Sequence, residues 1–122
     1  MAMQPLRGEI WNVQFNPSVG AEIQKVRPAV VMNVSHVGRL PLYIVVPVTD
    51  WKPIFAHASW FVPLTPTPEN GLSKASGADA FQVKSVSETR FLQKLGELSE
   101  EEVEAIAAAI ALCIGYEPTT QK

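Results

Sequence analysis

Residues 40–49, LPLYIVVPVT, make the chain's longest run rich in β-branched residues. A strand with one wet face alternates apolar and polar residues, whereas one apolar at nearly every position has both faces covered. The run therefore predicts a central strand, with Thr49 and Asp50 at its end. Moving outward, residues 28–35, PAVVMNVS, read as a second strand opened by Pro28, a position where a missing N–H breaks no ladder bond. Residues 7–15, RGEIWNVQF, alternate Ile10, Val13 and Phe15 with Glu9, Asn12 and Gln14, and read as a half-buried strand that ends at the loop NPSVG, residues 16–20. Downstream, residues 58–64 (ASWFVPL) predict a fourth strand and residues 77–87 (GADAFQVKSVS) a fifth, separated by the Pro/Gly-rich loop 65–77. Short strands joined by such loops, with no helices alternating between them, favour a mainly β fold, a small antiparallel barrel with a C-terminal helix.

That helix is signalled at residues 98–116, LSEEEVEAIAAAIALCIGY. Ser99 suits the N-cap, Glu102 completes a capping box, and the glutamates of the first turn face the positive end of the helix dipole. Val103, Ile106, Ala107, Ile110, Cys113 and Ile114 fall on one stripe, and Gly115 supplies the stop.

With 122 residues, 47% of them hydrophobic, the chain fits one domain over 1–122, too small for two cores. A larger binding groove then calls for a second copy. No apolar run reaches the ~20 residues that span a bilayer, and the start MAMQPLRGEI lacks a signal-peptide core, so a cytoplasmic protein is expected. One cysteine and two scattered histidines predict neither disulfides nor a metal site. The net charge of -2 disfavours a nucleic-acid partner until its distribution is considered. Up to Lys94, nine Lys/Arg stand against six Asp/Glu, and the acidity sits in the C-terminal segment. A mildly basic body is compatible with an anionic ligand.

Arg27 precedes Pro28, which holds it extended and aims its guanidinium, the side chain best matched to phosphate. An isolated Arg-Pro is more often a solvated loop arginine, and Thr49 taken alone is more often a turn residue. The segments RGEIWNVQFNPSVGAEIQKVRPAVVMN, VVPVTD, DAFQVKSVSETRF and ALCIGYEP together resemble, in order and spacing, the MazF/PemK toxins of bacterial toxin–antitoxin systems. The resemblance runs from Arg7 to Pro118. It implies an SH3-like barrel of the CcdB/Kid/MazF kind, a homodimer that cleaves single-stranded RNA without metal or other cofactor, and a cognate MazE-like antitoxin. The RNA's own 2′-hydroxyl would attack the adjacent phosphate, leaving a 2′,3′-cyclic phosphate and a 5′-hydroxyl. Such chemistry needs no Ser-His-Asp set, and the sequence offers none.

By the same resemblance Arg27 would stabilise the phosphate, Thr49 would hydrogen-bond it, and Glu22 would act as general base or orient Arg27. Lys25 adds charge to the loop. Gln82, Lys84 and Ser85 match a segment that reads Gln-x-Arg-Thr in many relatives and would bind RNA or hold the loop; for Gln82 and Ser85 the holding role is favoured. His57 lies near the expected groove rim, His36 reads as surface loop, and Trp51 beside Lys52 would form a stacking platform for a base. The chain departs from the family pattern at Ala21, Ile23 and Phe81, where many relatives carry polar residues, including an aspartate directly before the glutamine. The alternative is a non-catalytic binder on the same barrel, either an inactive toxin or a gyrase poison. The polar ending GYEPTTQK lacks the apolar tip of a gyrase poison.

Overall fold

A computed structural model describes residues 4–35, 38 and 40–117; His36 and the end of the polar tail, residues 118–122, lie outside the described residues. The chain forms β1 (Glu9–Gln14), β2 (Val26–Val31), β3 (Leu42–Asp50), β4 (Phe61–Leu64), β5 (Ser76–Asp79), β6 (Lys84–Ser87), β7 (Phe91–Glu97) and α1 (Glu100–Cys113). All strand pairings are antiparallel, in the order β4-β5-β3-β2-β1-β7, with β6 also on β3. β3 is central, as its composition predicts. Its first half pairs with β6 (Leu42↔Ser87 to Val45↔Lys84), its second half with β5 (Val48↔Ala78 to Asp50↔Ser76), and β2 lies along its other edge.

Side-chain alternation sorts these strands into two cores. Ile10, Val30, Val46, Val48 and Ala78 pack with Val103 and Ile106 of α1. Trp11, Val13, Phe15, Ala29, Val31 and Val45 pack with Val86 and Phe91 on the opposite face. Neighbouring residues of one strand, such as Ile10 and Trp11 or Val45 and Val46, thus serve different cores, which is the period-two rule acting on a sheet covered on both sides.

The sequence expectations need correction at four places. β2 begins at Val26, because Val26 and Arg27 pair with Gln14 and Val13, so Pro28 sits inside the strand, at a level where pairing with β3 has not begun. It ends at Val31 because the Asn33 side chain accepts from Ile44 N–H at 3.0 Å, taking over a backbone partner. The expected fifth strand is two, β5 and β6, since Asp79 accepts from Phe81 N–H and turns the chain into a short 3-10 segment, Ala80–Gln82. The fourth strand starts three residues late, because residues before it follow a 3-10 turn, Pro53–His57. β7 is an additional strand: its residues FLQKLGE do not alternate cleanly, because two register shifts against β1 interrupt the period.

In α1, Ser99 and Glu102 form the reciprocal capping box, and Gly115 takes φ 76° just past the end. The buried line is Val103, Ile106 and Ala109, with Ala107 and Ile110 packed beside it. Ile114 is 71% exposed rather than part of the stripe, because the helix has ended and the chain has turned. None of the helices among the described residues is long and apolar enough to cross a membrane.

Candidate active site

The β2–β3 register sets the site. Ala29↔Pro47, Val30↔Val46 and Val31↔Val45 are paired, so continuing the ladder past Ala29 puts Arg27 across from Thr49. Both share the parity of Ala29 and Val45 and therefore lie on one face of their strands. β5 adds Gly77 opposite Thr49, and Asp79 follows two residues on, again on the same side. Three strands thus deliver a guanidinium, a hydroxyl and a carboxylate to one open groove of about 850 Å³, whose lining includes Asn12, Arg27, Thr49, Lys52, Asp79 and Gln82.

Arg27 is half-buried, and its Nη1 donates only to the carbonyl of Val26, at 3.0 Å. Among the described residues it forms no ion pair. Thr49 Oγ1 donates to the Asp50 carbonyl at 3.1 Å. Asp50 is itself paired with Lys74 at 3.0 Å, a pair largely in solvent. Asp79 is 7% exposed, and burial pushes its carboxyl above the ordinary range against the lowering effect of donors from Gln82 and Phe81.

The loop between β1 and β2 forms one wall. Ser18 Oγ donates to the carbonyls of Phe15 (2.9 Å) and Ile23 (2.7 Å), and Asn16 Oδ1 accepts from Lys25 N–H at 3.1 Å. Arg90 Nη1 reaches from the far side to the carbonyls of Gln14 and Asn16, at 2.9 and 2.6 Å. Lys25 adopts φ 66°, a left-handed conformation that is uncommon for a residue with a side chain. At the other end, Gln82 Oε1 accepts from Ile23 N–H at 2.6 Å, so the departure from the family pattern at Ile23 puts an apolar side chain on the second core while its backbone anchors the loop.

Of the residues singled out from sequence, Arg27, Thr49 and Gln82 share the groove. Glu22 is exposed and outside the lining; its Oε1 accepts from Val19 N–H at 2.9 Å, closing the loop tip rather than touching Arg27. Lys25 and Lys84 also lie outside the lining, Lys84 in the β6 ladder opposite Val45. Ser85 opens instead onto a separate cleft of about 550 Å³ beside Tyr43 and Asn33, because it follows Lys84 by one residue and points the other way. It does not hold the loop. His57 ends an exposed 3-10 turn beyond the groove. Trp51 is half-buried, its ring in T-shaped contact with Phe55 and beside Gly77, and it lies outside the groove lining.

Asp79, Lys52 and Asn12 join the groove without having been site candidates from sequence. For Asp79 a signal is present: an aspartate two residues before an aromatic, at a strand end, is a side chain placed to cap a turn. No group of three or more His, Cys, Asp or Glu is gathered among the described residues as a metal would require.

Residues 6–114 match the family of PemK-like, MazF-like toxins of type II toxin–antitoxin systems. The chain is 33% identical over 113 residues to the endoribonuclease MazF9 of Mycobacterium tuberculosis, an overlap of 87% of this chain and 92% of that protein. Its fold is similar to MazF from Deinococcus radiodurans, at TM-score 0.75 and 20% identity, covering 94% and 99% of the two chains. A mycobacterial endoribonuclease solved with its cognate antitoxin superposes at TM-score 0.70 and 16% identity, covering 95% and 100%.

Proposed function

Because the chain belongs to the PemK-like, MazF-like toxins of type II toxin–antitoxin systems, we propose that it is an endoribonuclease that cleaves single-stranded RNA by attack of the RNA's own 2′-hydroxyl. The observation that supports this reading is that Arg27 and Thr49 line one groove, with the guanidinium not committed to any carboxylate among the described residues. A phosphate seated there would receive charge-assisted hydrogen bonds from Arg27 and a hydroxyl bond from Thr49, and both strengthen as charge develops on the equatorial oxygens.

In the reaction the 2′-oxygen forms a bond to phosphorus and the bond to the 5′-oxygen breaks. The products are a 2′,3′-cyclic phosphate and a 5′-hydroxyl. Arg27, with a pKa above ~12, stabilises the anion rather than giving up a proton, so the leaving oxygen takes its proton from solvent. Glu22, at the loop tip outside the groove lining, is proposed as the acceptor of the 2′-hydroxyl proton from its match to the family's loop glutamate, and bound RNA would have to draw that loop to the groove. Glu22 is exposed and engaged by a single backbone donor, whereas both oxygens of Asp79 are already occupied. The fixed guanidinium supplies the positive charge at the phosphate, which makes the reaction independent of metal.

The antitoxin is proposed to lay an acidic segment over the same groove and compete with RNA for Arg27 and Lys52. A homodimer is proposed as the working form. Trp60, Phe81, Leu112 and Ile114 are large apolar side chains exposed in one copy, and a second copy would remove them from water.

The test is incubation of the purified protein with a single-stranded RNA in excess chelator, followed by end analysis. Cleavage that leaves a cyclic phosphate and a 5′-hydroxyl, and that stops when the nucleotide 5′ to the cut is 2′-deoxy, is the expected result. Cleavage of the deoxy-substituted strand would reject the nucleophile, and absence of cleavage with antitoxin binding retained would make the protein a non-catalytic toxin.

A further inference from the structure

Two side chains tie the turn after β5 to the loop before β2. Gln82 Nε2 donates to Asp79 Oδ2 at 3.2 Å, Gln82 Oε1 accepts from Ile23 N–H at 2.6 Å, and Asp79 Oδ1 accepts from Phe81 N–H at 3.1 Å. An amide side chain can face either way, but a backbone N–H can only donate. An ionised carboxylate can only accept. Between these two fixed demands the Gln82 amide has one satisfying orientation, nitrogen toward Asp79 and oxygen toward Ile23. Once Asp79 carries a proton, its O–H can pair with the amide oxygen instead. The bond from Gln82 Nε2 then loses its charge assistance, the amide orientation is no longer unique, and in the flipped orientation its nitrogen meets Ile23 N–H, two donors, so the tether is weakened.

We propose that Asp79 is a positioning residue for RNA cleavage: its ionised carboxylate orients Gln82 so that the loop leading into Arg27 stays seated on the groove, and protonation releases that loop. This rests on the endoribonuclease reading above. Ile23 and Arg27 are four residues apart on the chain and line the same groove, so the loop's seat and the guanidinium's aim are linked. The burial that raises the Asp79 carboxyl moves the release to a pH above the ordinary aspartate range. The charged groups around it are Arg27 of β2, Asp50 of β3, Lys52 just beyond it and Lys74 before β5, all lining the same groove, with Lys74 engaged by Asp50. From α1, Cys113 stands close enough that its thiol, raised by burial, is raised further by the Asp79 charge.

The experiment compares the full-length protein with Asp79→Asn and Gln82→Glu. It measures kcat and KM for RNA cleavage from about pH 4, the ordinary aspartate value, up to about pH 8, together with the protection factor of the Ile23 amide against hydrogen exchange. The parent should lose kcat on the acid side as the Ile23 protection factor falls. Asp79→Asn should lower neutral kcat about tenfold, the cost of roughly one hydrogen bond, and move the acid limb to lower pH. Gln82→Glu should do the reverse of the parent. At neutral pH two carboxylates repel and the loop is released, while in acid one shared proton rebuilds the pattern, the introduced carboxyl donating to Asp79 and accepting from Ile23 N–H.

A parent that cleaves RNA while Asp79→Asn keeps its kcat and acid limb, or Gln82→Glu loses activity in acid as the parent does, overturns the proposal. Should Asp79→Asn fail to fold, the direction of the Gln82→Glu profile decides. A parent that does not cleave RNA defeats the endoribonuclease reading instead. In that case the pH dependence of the Ile23 protection factor still tests the tether, and a protection factor that does not change with pH rejects it.

Discussion

Replacing Arg27 with alanine separates what this residue does for the fold from what it does for the phosphate. In the fold its guanidinium contributes one hydrogen bond, to the carbonyl of the preceding residue, and no ion pair among the described residues. Its backbone pairing with Val13 does not depend on the side chain. The expected loss of stability is therefore within about 1 kcal/mol, as for a partly exposed side chain that leaves no buried partner orphaned. The catalytic loss is of another order. Removing one charged donor aimed at a developing oxyanion costs about 100- to 1000-fold in kcat, roughly 2.7–4 kcal/mol. Arg27→Lys keeps the charge but not the two-pronged geometry, and should fall between, losing about tenfold. Thermal unfolding paired with single-turnover cleavage of a fluorescent RNA reads both quantities. Cleavage by Arg27→Ala within about threefold of the parent would refute the assignment, because no other charged donor is fixed across from Thr49. A large drop in melting temperature would refute it too, since the loss of activity would then follow from the fold.

Thr49→Val keeps the shape of the strand end and removes a hydroxyl whose partner among the described residues is the Asp50 carbonyl. Melting should be nearly unchanged while cleavage falls about tenfold, the net worth of one hydrogen bond to a charged group. Glu9→Ala tests the second core. Glu9 accepts from the indole of buried Trp11 at 2.9 Å and from Leu6 N–H at 2.9 Å, and pairs with Lys94 at 3.1 Å, so its loss orphans a buried donor. The expected cost is about 2–3 kcal/mol, a fall in melting temperature on the order of 10 °C. Burial alone would raise the Glu9 carboxyl, but Trp11, Leu6 and Lys94 together bring it below its ordinary value. Its ionisation therefore stabilises the fold above the unfolded value and ceases to do so as the pH falls through the lowered one, and the gap between parent and Glu9→Ala should narrow in acid.

What the sequence makes legible is the part governed by local rules. Ser99 with Glu102 marks the helix start because a capping box is complete within four residues, and LPLYIVVPVT marks the central strand, although only Val45–Val48 are covered on both faces while Leu42 and Ile44 stay exposed. Arg27 and Thr49 are legible as candidates, but that they face one another depends on the β2–β3 register, which joins positions 22 residues apart in the chain. β7 escapes because its two bulges against β1 destroy the alternation that identifies strands. Asp79 escapes for a different reason. The family pattern directs attention to the position just before the glutamine, where Phe81 stands, and only the 3-10 turn brings a carboxylate from three residues before Gln82 back to its amide. Ser85 goes astray because β6 pairs with the first half of β3, which carries it to the cleft beside Tyr43 and away from the groove.

A protein of net charge -2 can bind RNA if the charges within reach of the phosphate are positive, because opposing charges beyond about 8 Å are screened at physiological ionic strength. The acidic first turn of α1, Glu100 to Glu102, is not part of the groove lining. Inside the groove Lys74 is spoken for by Asp50, which leaves Arg27 and Lys52 to displace counterions. Two phosphate contacts on a single strand give a slope of log K against log salt of about -1.4 per groove. A short oligonucleotide with 2′-deoxy substitution at the cut, which binds without being consumed, measures it by fluorescence anisotropy across a salt series. Arg27→Ala should halve the slope to about -0.7, since one of the two contacts is gone. An unchanged slope would mean that the phosphate is held elsewhere. A parent slope steeper than about -3 would mean that the strand is tracked well beyond the groove, through cations such as Lys25 at its edge.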